Sequence, residues 1–449
     1  MKSNPILLSA VFLFGIAAVK AQEKTTLSLN EAVNIALSKS DEVNLANTKV
    51  NTKSYEVQSM KMNQYPDMKI SGQYLRLTNA DINLRSSQES AEPADPDAET
   101  TASPKVNQLI LAQANVTMPI FSGFKLKNSI KASENLYNSE LANASFSKEQ
   151  TAMRVVQFYA DLYKAQKSVE LFKESLKSSQ QRVTDFTAME QNGIIARNDL
   201  LKAQLQVSNV QLSLAEAEKN VRLVNYYLVT LLKLSPDTQI VVSPENVDAN
   251  LFNTTIKSEN EALESRKDLE ALRFAEKATE ANIKVAQSNY YPSVSLIAGY
   301  TMLDLQNVVR VEKTTNVGGG LSYNLSSIFK NGKDVKVAKS RFEEIQHQQA
   351  ILTDHIKAEM VMARENYELS VKQDQVYTEA VDQASENYRI VKDKYDNGLS
   401  DTNDLLEADV DALSTKINQA YAKANVVLKY YELLEAAGQL TQSFNTSNN

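Results

Sequence analysis

The chain is written twice. At an offset of 226 residues, Ala36-Leu37 meets Ala262-Leu263, Val43 meets Leu269, Tyr65-Pro66 meets Tyr291-Pro292, and Gly72-Gln73-Tyr74 lines up with Ala298-Gly299-Tyr300. At an offset of 205, Phe124-Lys125 meets Phe329-Lys330, Asn192-Gly193 meets Asn397-Gly398, Asn198-Asp199-Leu200-Leu201 meets Asn403-Asp404-Leu405-Leu406, and Tyr226 falls on Tyr431. The change of offset puts a 21-residue insertion between Tyr74 and Val116 of the first half. Whatever the first half folds into, the second half folds into again.

Each half reads helix, strand, strand, helix, helix. The first helix is expected from about Leu29 to Gln64 and again from about Glu259 to Tyr290. Both end at a Tyr-Pro step, because Pro66 and Pro292 cannot continue a helix and push the preceding residue out of helical geometry. Period-two alternation follows. Val294, Leu296, Ala298, Tyr300 and Met302 share one face, with Ser293, Ser295 and Thr301 on the other. Ile110, Ala112, Ala114, Val116, Met118 and Ile120 oppose Gln113, Asn115 and Thr117, and Leu321, Tyr323 and Leu325 repeat the pattern. Strands of about ten residues with one apolar and one polar face suit a transmembrane β-barrel. Half-buried strands of a soluble sheet give the same alternation, but four strands split between two distant hairpins are too few for a sheet of their own.

The remaining helices are long. From about Lys127 to Gln191 and from about Asp334 to Asp396 neither proline nor glycine interrupts the chain. Such a run rises roughly 100 Å at about 1.5 Å per residue. Tyr377, Val381, Ala384, Tyr388, Val391 and Tyr395 recur at alternating spacings of four and three, and Leu406, Val410, Leu413, Ile417, Ala420, Ala424, Val427, Tyr431 and Leu434 keep that rhythm on the return. This is coiled-coil spacing in an antiparallel hairpin with its tip at Asn397-Gly398. Phe172, Leu176, Val183 and Phe186 lead to the matching tip at Asn192-Gly193.

Lys2, the apolar run Ile6–Ala18 and Val19-Lys20-Ala21 form a secretory signal, cut between Ala21 and Gln22. Cleavage removes two lysines and no acid, so the net charge moves from −7 to −9. That balance argues against nucleic acid as a partner, since phosphate binding needs a basic face. There is no cysteine for disulfides or for a lipid anchor. No later apolar run reaches the length of a spanning helix, so any membrane crossing is by strands. Residues 86–104 carry Glu89, Glu92, Asp95, Asp97 and Glu99 and no base. The segment has the composition of a mobile loop on the cell exterior.

Export, four barrel strands, paired coiled coils and duplication together resemble the TolC-like outer-membrane efflux proteins. The duplicated tip, Asn-Gly-(Ile/Leu)-x-x-x-Asn-Asp at 192–199 and 397–404, and the Tyr-Pro junctions carry the resemblance, which covers nearly the whole mature chain. It implies a mainly α protein with a membrane β-barrel: a homotrimer closing a 12-stranded barrel, with a long α-helical coiled-coil barrel in the periplasm. The implied organisation is a signal at 1–21 and a first repeat at 22–234, with hairpin 66–121, extracellular loop 79–108 and coiled-coil hairpin 127–234. An equatorial linker follows at 235–258. A second repeat occupies 259–437, with hairpin 293–326 and coiled-coil hairpin 334–437, and a tail closes the chain at 438–449.

The resemblance also implies partners: a periplasmic adaptor (membrane fusion) protein, an inner-membrane pump of the RND or ABC type, and outer-membrane lipid. The chain would be the passive exit duct of a tripartite efflux pump or type I secretion system, in the outer membrane of a Gram-negative bacterium. Asn192, Gly193, Ile194, Asn397, Gly398 and Leu399 would be the adaptor-docking tips. Asp404 and Glu407, three apart on one helix face, would charge the periplasmic entrance. Tyr395, with Asn198 and Asp199, would tie it shut. Ser400 stands where better-known members carry a base, a role Arg197 could take. The bland alternatives are a plain glycine turn at the tips and solvated helix charges behind them.

Catalysis finds no constellation. His347 and His355 sit eight apart on a helix without a completing ligand set, and no phosphate-loop, nucleophile-elbow or zinc-protease motif occurs. No cofactor is implied. A periplasmic coiled-coil scaffold without a pore is the competing reading, and an exported hydrolase a third.

Overall fold

Serine and proline punctuate the chain more finely than periodicity foretells. The computed structural model describes residues 24–80, 106–242 and 256–445. The signal, the 86–104 insertion, residues 243–255 of the linker and the last four residues lie outside these. Among the described residues the order is β1 (Lys24–Leu27), α1 (Leu29–Lys39), α2 (Asp41–Met62), β2 (Asp67–Ala80), β3 (Val106–Ser122), α3 (Lys125–Gln191), α4 (Arg197–Leu231), β4 (Gln239–Val242), α5 (Glu259–Ser265), α6 (Lys267–Ser288), β5 (Ser293–Leu305), β6 (Val309–Ser322), α7 (Ser327–Asp396), α8 (Thr402–Ala436) and α9 (Leu440–Asn445).

The first helix expected in each half is two helices. Ser40 adopts φ −64° and ψ 146°, and its Oγ accepts from Val43 N at 3.3 Å. A serine that caps the following turn competes with helix continuation. At the other break Arg266 is extended (φ −62°, ψ 120°), and Asp268 accepts both from Leu269 N at 2.9 Å and from the Arg266 guanidinium at 2.7 Å. Helix α7 begins seven residues before the expected Asp334 and takes Gly332 within it.

The elements fall into two units, one of residues 46–146 and 266–356 and the other of residues 1–45, 147–265 and 357–449. In the first, the two hairpins that the sequence keeps apart are joined. The strands form one antiparallel sheet in the order β2-β3-β5-β6. Paired residues on adjacent strands share a face, and the register brings the alternating apolar sets together. Met68, Ile70 and Tyr74 stand beside Val116, Ala114 and Ile110. Ala112, Ala114, Val116 and Met118 stand beside Met302, Tyr300, Ala298 and Leu296, while Val294 and Ala298 stand beside Leu321 and Val317. Slipping any strand by one residue would reverse its faces.

The opposite face is polar, with rows Lys69-Asn115-Gly299-Asn316 and Ser71-Gln113-Thr301-Thr314. A Cβ on Gly299 would stand 2.8 Å from the Asn115 amide oxygen and 2.7 Å from that of Asn316, so the glycine makes room for both amides. Near the hairpin turns the polarity exchanges. Leu75, Leu109, Leu305 and Val309 form a row on the polar side. On the apolar side Arg310 lies 3.5 Å from Asp304 and 2.7 Å from Glu312.

Two strand ends differ from the alternation. Pro119 has no N–H for the ladder, a bulge follows it, and Phe121 rather than Ile120 pairs with Val294. Strand β6 stops at Ser322, so Tyr323 and Leu325 do not continue its face. Asn324 Oδ1 accepts from Ser326 N at 3.1 Å and from Ser326 Oγ at 2.7 Å, turning the chain into α7.

In the second unit, Val33, Ala36, Ala152, Val155, Leu162, Leu228, Leu232, Ile240, Leu434, Leu440 and Phe444 make a core that joins α1, α3, α4, α8 and α9 to a two-stranded sheet. Burial of large apolar side chains is the main stabilisation available here. A capping box starts α1, with Ser28 and Glu31 each accepting from the other's backbone N–H. The parallel pair β1 and β4 was not expected from sequence. Two strands are marginal alone, and side chains complete their hydrogen bonding. Gln166 donates to Ile240 O at 2.7 Å and accepts from Val242 N at 3.3 Å, Asn225 accepts from Ile240 N at 2.8 Å, and Tyr159 donates to Leu27 O at 2.9 Å.

Candidate functional site

The two Asn-Gly tips fold alike. Gly193 and Gly398 take φ of 72° and 73°, the left-handed region where a Cβ is strained. Gly193 N donates to Glu190 O at 2.9 Å and Ile194 N to Met189 O at 2.9 Å. Gly398 N donates to Tyr395 O at 2.9 Å and Leu399 N to Lys394 O at 2.8 Å. Each is a Schellman closure, which satisfies carbonyls that the helix end leaves unpaired. Asn192 and Asn397 add a side-chain bond each, to Ala188 O at 2.7 Å and Asp393 O at 2.8 Å. The residue after each glycine is left out in the open: Ile194 is 66% exposed and Leu399 77%.

The starts of the return helices differ. Asp401 caps α8 by accepting from Asn403 N at 2.7 Å and Asp404 N at 3.0 Å, whereas Ala196 leaves α4 without a side-chain cap. Behind the tips, Phe186, Leu200, Ala203 and Leu405 form a small core with Val183, Met189, Ile195, Tyr388, Val391 and Tyr395 packed on it. Leu200 and Leu405, the matched leucines of the two Asn-Asp-Leu-Leu stretches, thus meet in one cluster.

Asp404 and Glu407 are both exposed, one turn apart on α8. Ser400 Oγ donates to Asp404 Oδ2 at 2.8 Å and so holds the carboxylate. Arg197 is 3.5 Å from Glu190, on the helix before its own tip. Asn198 lies 3.4 Å from Asp199, which is 3.5 Å from Lys202, and Lys202 reaches Asn403 at 2.8 Å. Tyr395 stacks on Phe186 with centroids 5.7 Å apart. Burial raises the pKa of its hydroxyl, the neighbouring Thr402 side chain opposes that shift, and Asp199 nearby adds to it.

Sequence reasoning missed the strongest polar link in this region. Arg182 Nη1 donates to Asp409 Oδ2 at 2.8 Å and Nη2 to the Tyr388 hydroxyl at 3.1 Å, joining α3 to α8 and α7. The side chains of Arg182 and Asp409 are only 8% and 16% exposed. Burial alone would lower the guanidinium's pKa, but the bond and charge of Asp409 outweigh it and hold the group above its ordinary value. A cleft of about 490 Å³ opens beside this link, bordered by Arg182, Phe186, Tyr388 and Tyr395.

Pro66 and Pro292 stand where expected, between α2 and β2 and between α6 and β5. Gly123 (φ 61°) and Phe124 (φ 65°) form the corner from β3 into α3. A Cβ on Gly123 would meet Ser288 O at 2.5 Å, so only glycine allows this approach. Phe124 packs edge-on to Phe121 and Tyr291, at 5.3 and 6.4 Å between centroids. His347 and His355 are exposed on α7, and no group of three His, Cys, Asp or Glu among the described residues is placed to hold a metal ion.

The sequence pattern of the outer membrane efflux protein family matches residues 32–232 and 259–439. The outer membrane efflux protein BepC of Brucella suis is 20% identical over 324 residues, 72% of this chain and 70% of that protein. The outer membrane protein VceC of Vibrio cholerae has a TM-score of 0.75 at 17% identity, covering 91% of this chain and 96% of that one. The Campylobacter jejuni CmeC outer membrane channel also has a TM-score of 0.75 at 17% identity, over 98% of this chain and 94% of that one. At such identities the structural likeness speaks for the fold.

Proposed function

Because the chain belongs to the outer membrane efflux protein family and is an efflux exit duct of the outer membrane, we propose that it conducts as a homotrimer, three copies closing a 12-stranded barrel. The observation that carries this reading is the register of the sheet. It collects the apolar residues of four strands on one side, with Met68, Ile70, Val317 and Leu321 all more than 70% exposed, and leaves the polar rows on the other. Such a sheet suits lipid outside and water inside. Its outer strands β2 and β6 end in unpaired backbone edges within one copy, which lipid does not tolerate. Edge-to-edge pairing with other copies removes them, and three copies of four strands give the 12-stranded barrel that the family resemblance implies. The charged residues Asp304, Arg310 and Glu312 then mark the headgroup zone beyond the apolar band.

The equal 35-residue lengths of α4 and α8 and the shared closure of both tips support duplication of one unit. The repeats are 22–234 and 259–437, with 235–258 as linker and 438–449 as tail. Ile194 and Leu399, apolar and open at the helix ends, would meet a periplasmic adaptor that couples the duct to an inner-membrane pump. Asp404 and Glu407 would ring the entrance, with Tyr395, Asn198, Asp199 and Arg197 at the closing contacts. The purified protein should migrate as a trimer and conduct ions across planar bilayers. A monodisperse soluble monomer without channel activity would overturn the reading.

A further inference from the structure

Where β3 turns into α3, the apolar face of the sheet runs into a cleft of about 950 Å³. Its apolar wall is Pro119, Ile120, Phe121, Phe124, Leu126 and Ile130. Its charged lining is Lys127, Lys131 and Glu134. Glu134 is taken by Lys61 at 2.7 Å. The two lysines sit one helical turn apart on one face, both exposed, and Lys127 makes no ion pair among the described residues. Like charges at this spacing repel unless an anion lies between them. The nearby carboxylate that feels Lys131, Glu280, is bonded to Lys284 at 2.9 Å.

We propose that this cleft seats one anionic phospholipid of the membrane leaflet facing the periplasm. An acyl chain lies along Ile120 and Phe121, and the phosphate rests against Lys127 and Lys131. The proposal rests on the barrel reading, because it takes the apolar face of the sheet to be the lipid side. Three features select a lipid. The apolar wall is continuous with that face through Phe121, which pairs with Val294, itself beside Leu321. The exposed Tyr65 and Tyr291 stand at the same strand ends, and amphipathic rings favour the headgroup level. The two lysines face no uncommitted acid, so a headgroup of net negative charge gains where a zwitterionic one sets its ammonium beside like charge.

The chain contains no tryptophan, so a single introduced indole reports on its own surroundings. Full-length Ile120→Trp would be reconstituted with increasing fractions of brominated phosphatidylglycerol or brominated phosphatidylcholine, and fluorescence quenching followed. Two lysines predict half-quenching at about a thirtyfold lower fraction of the anionic lipid, falling to no preference with Lys127→Gln and Lys131→Gln. Val317→Trp, on the same face but remote from the lysines, should quench equally with both lipids. Phe121→Trp replaces one aromatic by another in the cleft and serves if Ile120→Trp does not assemble. Equal quenching by the two lipids at the cleft, or a preference that survives loss of both lysines, overturns the proposal. Quenching at 317 without quenching at the cleft means that another copy covers it, which overturns the proposal and leaves the barrel reading standing. Absence of quenching at both positions removes the barrel reading itself.

Discussion

Arg182→Met should loosen the helix tips by far more than an exposed charge would. The side chains of Arg182 and Asp409 are 8% and 16% exposed, so deleting the guanidinium leaves a carboxylate in a site built for an ion pair. Breaking a buried pair in this way costs about 3–5 kcal/mol. The lower figure applies here, because Asp409 is the more exposed partner and water can reach it. A local loss of about 3 kcal/mol corresponds to a more than hundredfold rise in opening, which amide hydrogen exchange reads directly. Exchange should accelerate in Val183–Met189 and Val391–Tyr395, the segments packed behind the tips, and stay unchanged around Leu162 and Leu228. Arg182→Met with Asp409→Leu removes both charges and should recover most of the protection, since an apolar pair of similar volume is often neutral. Arg182→Lys should fall between, because an ammonium cannot bridge Asp409 and Tyr388 as the guanidinium fork does. A double variant as labile as Arg182→Met alone would show that the helices need the arginine for packing and not for pairing, and the reasoning would fail.

Asp374 has a buried carboxylate oxygen without a partner, and burial raises its pKa. The penalty is therefore absent below the unfolded-state pKa and develops as pH rises through the folded one. Asp374→Asn should raise the melting temperature at neutral pH, with the advantage gone below about pH 4; an equal gain at both pH values would contradict this. Gly398→Ala should cost about 1–2 kcal/mol through its left-handed φ, read as a lower melting temperature of the helical portion, with no change meaning that the tip refolds. Gly398→Glu with Leu399→Glu should abolish cargo export from cells while the trimer still assembles, and persistent export would remove the docking role. Asp404→Ala with Glu407→Ala should lower cation selectivity, measured as a shift of reversal potential in a salt gradient. An unchanged potential would place both acids away from the conduction path.

Features set by neighbours in sequence were legible. The Tyr-Pro steps stop α2 and α6 because proline acts on the residue beside it. Strand parity gave the apolar face of β3 and β5 because side chains alternate along any strand. The Asn-Gly tips were visible because only glycine takes φ near 70° without strain. Single hydrogen bonds were not legible: Ser40 and Asp268 break helices whose periodicity runs on past them. Pairings between distant segments escaped as well, for β1 meets β4 and β3 meets β5 across 171 to 215 residues of chain, and no local pattern names a partner. The Arg182–Asp409 link lies between these cases. Arg182 sits among Val183, Phe186 and Ser179 on a stripe that otherwise packs inward, and a charge there cannot be left without a partner. Two antiparallel hairpins with matching tips place residues at equal counts from their glycines at one height. Arg182 stands eleven residues before Gly193, and Asp409 stands eleven after Gly398. The buried pair follows from that equality once both tips are taken to end at the same level.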